Sequence, residues 1–136
     1  MKFHHIGIAC TDISYMMQYL KNLYGVSSIL EKIFDERKGA EICMVILEDG
    51  TRIELVSGEI VEDLLKRKNY LYHMCYSTDD IDVKISEFEN YGAKIVSQPY
   101  PTKLFNGKRA AFLLTKLGLV ELLEEREDIG LEVQYL

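Results

Sequence analysis

The sequence contains the same order of residues twice, and the two copies are offset by 67 or 68 positions. Each copy has a histidine, an Asp-Ile pair seven residues later, a Tyr-Gly pair, two more glycines and a glutamate. The first copy contains His5, Asp12-Ile13, Tyr24-Gly25, Gly39, Gly50 and Glu54, and the second contains His73, Asp80-Ile81, Tyr91-Gly92, Gly107, Gly118 and Glu121. A duplicated unit of roughly 65 residues is marginal alone, so the two copies are predicted to build one domain over residues 1–136.

The hydrophobic pattern of each copy predicts a strand, a helix that begins after the Asp and ends at the Tyr-Gly, and three more strands. The first copy predicts strands at 3–10, 28–34, 41–47 and 51–56 and a helix at 13–24. The second predicts strands at 71–77, 94–98, 109–115 and 118–124, a helix at 80–91 and a loop through Pro99 and Pro101. The predicted class is α+β, with two β-α-β-β-β modules (1–58 and 71–125), a connection at 59–70 that is helical over 59–68, and an unassigned tail.

The amino-acid composition disfavours several classes of function. The net charge of -6 and the pI near 5.1 disfavour nucleic-acid binding, which needs a basic surface. No apolar run is long enough for a membrane span and no secretion signal is visible, so a cytoplasmic protein is expected. The three cysteines have neither metal-knuckle nor redox spacing, and we expect them to be buried hydrophobic residues. They are Cys10, Cys43 and Cys75.

The repeated histidines and glutamates predict a metal site. His5 and His73 lie on equivalent first strands, and Glu54 and Glu121 lie on equivalent last strands, so all four can point into one cleft. Small residues follow each histidine on its face, which leaves room for an ion. Two imidazoles and two carboxylates suit Co²⁺, Ni²⁺, Mn²⁺, Zn²⁺ or Fe²⁺. His4 points to the opposite face and is predicted to be structural or at the surface.

Other charged residues admit two interpretations. If Glu41 shares the face of Glu54, its carboxylate lies near the ion without binding it, which is where a general base would stand. Otherwise it is a solvent-facing strand residue. Lys103, Lys108 and Arg109 flank the proline-containing segment and could meet an anionic substrate, as could the cluster at 66–68.

These segments, taken in order, resemble the vicinal oxygen chelate superfamily, which includes glyoxalases, bleomycin resistance proteins and dioxygenases. The resemblance is carried by His4-His5-Ile6-Gly7-Ile8-Ala9, Gly39-Ala40-Glu41, Ile53-Glu54-Leu55, Tyr72-His73-Met74-Cys75-Tyr76, Gly107-Lys108-Arg109-Ala110-Ala111-Phe112 and Val120-Glu121-Leu122. It implies a glyoxalase-like fold with a cupped β-sheet cleft, metal ligands at His5, Glu54, His73 and Glu121, and a homodimer.

Within that superfamily the chain is most similar to the methylmalonyl-CoA epimerases. This similarity implies an isomerase that moves the α-proton of a malonyl-type acyl thioester through a metal-stabilised enolate, with Glu41 and Glu121 as the catalytic pair. Glyoxalase I enzymes commonly have Glu at the position of Glu54, where the epimerases often have Gln. A glyoxalase I-like lactoylglutathione lyase is therefore the alternative, and a binding protein for antibiotics or other small molecules is the third.

Overall fold

The computed structural model describes residues 1–125, which form nine strands and three helices. In chain order they are β1 (Lys2–Ala9), α1 (Ile13–Leu23), β2 (Val26–Ile29), β3 (Ile33–Asp35), β4 (Ala40–Leu47), β5 (Arg52–Gly58), α2 (Glu62–Lys66), β6 (Leu71–Thr78), α3 (Ile81–Asn90), β7 (Lys94–Pro101), β8 (Arg109–Thr115) and β9 (Gly118–Glu124). The predicted α+β class is confirmed. The predicted tail lies outside the described residues.

The described residues divide into two compact units. We call residues 5–72 the N-terminal module, and residues 73–125 together with 1–4 the C-terminal module. None of the helices within residues 1–125 is long and apolar enough to cross a membrane.

The sheet of the N-terminal module has the strand order β2-β4-β5-β1, and β3 also pairs with β4. β1 and β5 are parallel, whereas β4 is antiparallel to β5. Helix α1 covers one face, where its buried residues pack with alternate residues of β4 and β5. This core consists of Cys10, Ile13, Leu20, Cys43, Val45, Leu47, Ile53 and Leu55. Strand alternation places His5 and Glu54 on the other face.

The C-terminal module repeats this arrangement with the strand order β6-β9-β8-β7. β6 and β9 are parallel, and β8 is antiparallel to both β9 and β7. Helix α3 covers one face over a core of Ile81, Ile85, Ala111, Leu113, Val120 and Leu122. His73 and Glu121 alternate onto the opposite face.

The repeated Asp-Ile and Tyr-Gly pairs mark the ends of the two long helices, as predicted. Asp12 accepts a hydrogen bond from the backbone N–H of Tyr15 at 3.2 Å, and Asp80 accepts one from that of Val83 at 3.1 Å. These contacts satisfy amides that the first helical turn leaves open. Gly25 and Gly92 follow the helices with φ of +78° and +97°, a conformation that favours glycine at a helix end.

Two predicted boundaries were wrong. The single strand at 28–34 is two strands, because one extra residue lies between the pairs Ile29↔Val45 and Ile33↔Ile42 and interrupts the pairing with β4. The predicted loop through Pro99 and Pro101 belongs to strand β7. Prolines are tolerated there because β7 is an edge strand, and its register against β8 shifts on the way to Tyr100.

Candidate functional site

A buried histidine and a buried glutamate meet in the N-terminal module. Nε2 of His5 lies 3.6 Å from Oε1 of Glu54, and their side chains are 0% and 2% exposed. The parallel pairing of β1 with β5 sets this contact, because Gly7 is the register partner of Glu54 and His5 stands two residues earlier on the same face. Gly7 has no side chain and so leaves space beside the pair.

The C-terminal module contains an equivalent pair. Nε2 of His73 lies 3.1 Å from Oε1 of Glu121, again with side chains that are 0% and 2% exposed. Cys75 is the register partner of Glu121, two residues after His73, as Gly7 is in the other module. The repeat in the sequence is therefore also a repeat in geometry.

Both distances fit two ligands of one ion. An imidazole nitrogen and a carboxylate oxygen that are each about 2.1 Å from an ion lie about 3.0 Å apart at a right angle and about 3.4 Å apart at the tetrahedral angle. The separation of 3.1 Å in the His73–Glu121 pair is also an ordinary hydrogen-bond length. The separation of 3.6 Å in the His5–Glu54 pair is too long for a hydrogen bond, so ligand spacing describes it better.

Burial of these pairs carries an unfavourable desolvation free energy. Taking a carboxylate out of water costs several kcal/mol unless its charge is compensated. Glu54 and Glu121 are each 1% exposed, on sheet faces that apolar residues could equally fill. A cost of this kind, incurred at equivalent places in two modules, is typical of a functional site. The donor atoms suit a borderline divalent ion, which would compensate the charge.

Different side chains flank the two glutamates. Met44 is the register partner of Glu54 on β4, and Phe112 is the register partner of Glu121 on β8. The ring of Phe112 also meets that of His73 edge to face, with centroids 5.1 Å apart and an angle of 88°. Phe112 therefore restricts the rotation of the His73 imidazole through a contact between two rings. Met44, its equivalent in the other module, has no ring and cannot make this contact.

We expect Phe112→Met to loosen the His73 ring while the fold persists, because it installs the residue found at the equivalent position of the other module. An edge-to-face pair contributes about 0.5–1.5 kcal/mol, so affinity for Co²⁺ should fall by roughly two- to tenfold. Competition titration gives the affinity, and imidazole NMR of the metal-free protein gives the ring dynamics. Met44→Leu is the matched control and should change neither. Unchanged His73 signals in Phe112→Met would contradict the prediction.

The sequence matches one family model over residues 4–112, that of the glyoxalase/bleomycin resistance protein/dioxygenase superfamily. The chain belongs to this superfamily. No curated protein matches the chain significantly.

Several solved structures share the fold of this chain. A hypothetical protein from Bacillus halodurans is 24% identical, with a TM-score of 0.77 over 93% of this chain and 95% of its own. Methylmalonyl-CoA epimerase from Mycobacterium tuberculosis is 18% identical, with a TM-score of 0.78 over 95% and 91%. A glutamate-to-glutamine variant of the Streptomyces coelicolor epimerase, in complex with 2-nitronate-propionyl-CoA, is 22% identical, with a TM-score of 0.74 over 91% and 96%.

The condition for Glu41 to act as a base, a face shared with Glu54, is not met. The register of β4 with β5 pairs Glu41 with Ser57 and Met44 with Glu54 without a shift between them, so Glu41 and Glu54 lie on opposite faces. The Glu41 side chain is 49% exposed, and its Oε2 lies 3.5 Å from Nζ of Lys32. Its position matches the solvent-facing alternative.

Two of the basic residues considered for contact with an anion are paired with carboxylates. Nζ of Lys108 lies 3.3 Å from Glu125, and the Arg109 guanidinium donates hydrogen bonds to Glu124 and Asp82. These bonds raise the pKa of Arg109 further above its usual range. Arg109 is the repeat counterpart of Glu41 and likewise alternates onto the helix-covered face of its sheet. It joins β8 to β9 and α3 rather than facing the metal-site candidates.

Two of the cysteines, Cys10 and Cys43, and His4 take structural positions. All three cysteines are buried, and burial raises the pKa of Cys10 to about 11 and also raises that of Cys43. A thiol with so high a pKa stays protonated at neutral pH and is a poor nucleophile or ligand. The ring of His4 is 4% exposed and packs edge to face on Phe105 at 5.2 Å, as suits the predicted structural role.

Sequence reasoning missed the partners that flank the pairs, Met44 and Phe112. Both lie in apolar runs that look like ordinary core, and only the strand register brings them beside a glutamate. The signal that could have revealed them is the hairpin register, which depends on the length of each turn.

Proposed function

We propose that the chain is a metal-dependent enzyme that moves the α-proton of a malonyl-type acyl thioester, in the manner of methylmalonyl-CoA epimerase. We further propose that His5, Glu54, His73 and Glu121 hold one divalent ion together. The observation that carries both proposals is the pair of equivalent, fully buried His–Glu contacts, one in each module.

A shared ion accounts for the duplication better than two separate ions would. Two protein ligands form an incomplete shell for a divalent transition metal, which usually takes at least three from the protein. Two pairs would supply four ligands, and an ion held in this way would still be able to accept substrate oxygens. The fold shared with the epimerases is compatible with such a site, although at their level of identity it supports the fold and not the activity.

The bound ion would supply Lewis-acid polarisation of the thioester carbonyl, which makes the neighbouring C–H more acidic. The chain's own residues must then move the proton. Strands β1, β4, β5, β6, β8 and β9 place two carboxylates on the faces that carry the candidate ligands, Glu54 and Glu121. We assign proton removal to a carboxylate oxygen of Glu121, in place of Glu41, and the return of a proton on the other side of the carbon to water, since Glu54 is an ionised ligand. Glu121 then releases the proton it took to the hydroxide that remains.

A lactoylglutathione lyase is the second candidate, and one observation favours it. Glu41, which the epimerase resemblance requires as a base, lies on the wrong face, while Glu54 provides the glutamate that is common in glyoxalase I. The lyase uses the same proton-transfer chemistry on a glutathione adduct. A non-catalytic binding protein would have no need to keep two buried carboxylates, so the site favours it least.

The experiment that tests the proposal is hydrogen exchange in heavy water. Protein loaded with Co²⁺ should catalyse the incorporation of deuterium at the α-carbon of methylmalonyl-CoA. Mass spectrometry and proton NMR of the thioester measure the incorporation. Conversion of methylglyoxal with glutathione, and no exchange into the thioester, would establish the lyase instead. Inactivity in both assays by protein that contains metal would reject an enzyme of either kind.

A further inference from the structure

The N-terminal module contains a groove of about 710 Å³ where the end of β1 meets the start of α1. Three tyrosines line it, Tyr15 and Tyr19 from α1 and Tyr70 from the segment after α2. They are 66%, 42% and 52% exposed. The rings of Tyr15 and Tyr19 stand 6.4 Å apart and nearly parallel, at 28°. The volume lies within the range of small-molecule sites.

The duplication supplies a comparison for this groove. The C-terminal module has an equivalent at the end of β6 and the start of α3, of about 330 Å³. There Val83 stands where Tyr15 stands in the N-terminal module, and Lys2 stands where Tyr70 does. Glu87 is the counterpart of Tyr19. The fold therefore does not require an aromatic lining, because the C-terminal module has aliphatic and charged residues at the equivalent positions.

The charged residues around the groove indicate where the anionic group of a ligand would lie. Residues 66–68, Lys-Arg-Lys, lie between two lining residues, Leu65 and Tyr70, and their side chains are exposed. The Cα atoms of Lys66 and Lys68 are within about 8 Å of one of these lining residues, close enough for an ammonium group to reach the mouth. Asp12 also lines the groove, and its carboxylate accepts a hydrogen bond from the backbone N–H of Tyr15. A ligand anion would therefore sit towards Lys66 and Lys68.

We propose that this groove binds the planar ring of a ligand that also carries an anionic group, namely a purine nucleotide. Tyrosine faces stack well on purines, and the basic segment attracts the phosphate. The nucleotide is either free or the nucleotide portion of a thioester carrier. Only the second form rests on the function proposed above, since the tyrosines bind the ring without a metal.

The test uses the full chain, treated with a chelator so that the metal site plays no part. Tyrosine ring signals are followed by NMR during titration with AMP, adenosine, coenzyme A and glutathione. AMP should shift the signals of Tyr15, Tyr19 and Tyr70 and bind at least fivefold more tightly than adenosine, with an affinity that weakens in salt. Glutathione should not shift them. Tighter binding of coenzyme A than of AMP identifies the carrier, and equal or weaker binding identifies the free nucleotide.

The first variant replaces two groove tyrosines of the N-terminal module with their counterparts from the C-terminal module. Tyr15→Val with Tyr19→Glu should weaken AMP binding by roughly fivefold or more, as expected for loss of aromatic stacking. Tyr91→Ser removes an exposed tyrosine outside the groove and should leave affinity unchanged. Lys66→Gln with Lys68→Asn should abolish the preference for AMP over adenosine. Asn suits position 68 because Lys68 has a φ of +57°.

Three results would overturn the proposal. One is the absence of shifts at the groove tyrosines with AMP and coenzyme A at millimolar concentration, and another is an unchanged affinity in the Tyr15→Val, Tyr19→Glu variant. The third is a change of these signals with protein concentration alone, accompanied by dissociation in sedimentation, because a second copy of the chain would then occupy the groove. Thioester exchange activity enters none of these readouts, so failure here and failure of the proposed enzyme are separate results.

Discussion

Metal analysis of the purified protein should find about one divalent ion per chain, and a His5→Ala, His73→Ala double variant should contain none. Removing both imidazoles leaves two carboxylates, which bind transition metals weakly. Elemental analysis after dialysis measures the ion, and circular dichroism checks the fold. Full occupancy in the double variant would remove the metal proposal.

The single variants decide whether the ion is shared. If both modules contribute to one site, His5→Ala and His73→Ala should each lose most of the metal alone. If each pair binds its own ion, the wild type should contain two and each single variant should keep one. His4→Ala is the control. It should retain the metal, because its ring packs on Phe105 on the other side of the strand, although it should be less stable.

Turnover of the Glu121→Gln variant should fall by about 10²-fold or more, because the change removes a carboxylate that serves both as ligand and as base. Metal affinity should fall with it. The measurement is the rate of α-deuterium incorporation at saturating Co²⁺, which separates loss of the ion from loss of the base. A wild-type rate at full metal occupancy would show that Glu121 moves no proton.

Two matched variants complete this test. Glu41→Gln should leave both metal content and exchange unchanged, since that carboxylate faces away from Glu54 and lies near Lys32. A loss of exchange there would restore the role that the sequence suggested for it. Glu54→Gln separates the two candidate enzymes, because the epimerases often have Gln at this position, whereas a lyase that uses Glu54 as a base should lose its activity.

The repeat made most of the fold predictable. Matched positions identified the strand that carries His5 and the strand that carries Glu54, and the period of the apolar residues between them indicated the intervening elements. The Asp12 and Asp80 caps were predictable because capping depends on local sequence. Pairing between distant strands has no such local signal, so the division of residues 28–34 into β2 and β3 was missed.

The face on which Glu41 lies depends on a single residue in the turn between β4 and β5. A two-residue turn at Asp49-Gly50 would pair Val45 with Glu54 and place Glu41 on the ligand face. The actual turn is one residue longer, as the hydrogen bond from the backbone N–H of Leu47 to the carbonyl of Thr51 indicates. Because side chains alternate along a strand, this one-residue difference moves every side chain of β4 to the other face.

The parallel pairing of β1 with β5, and of β6 with β9, affects the order of events during folding. Each His–Glu pair joins the first strand of a module to its last, so neither pair exists until the chain between them has closed. Such distant contacts form late and slowly. An ion that needs both ligands can therefore bind only after a module is complete, and it would slow unfolding without accelerating folding.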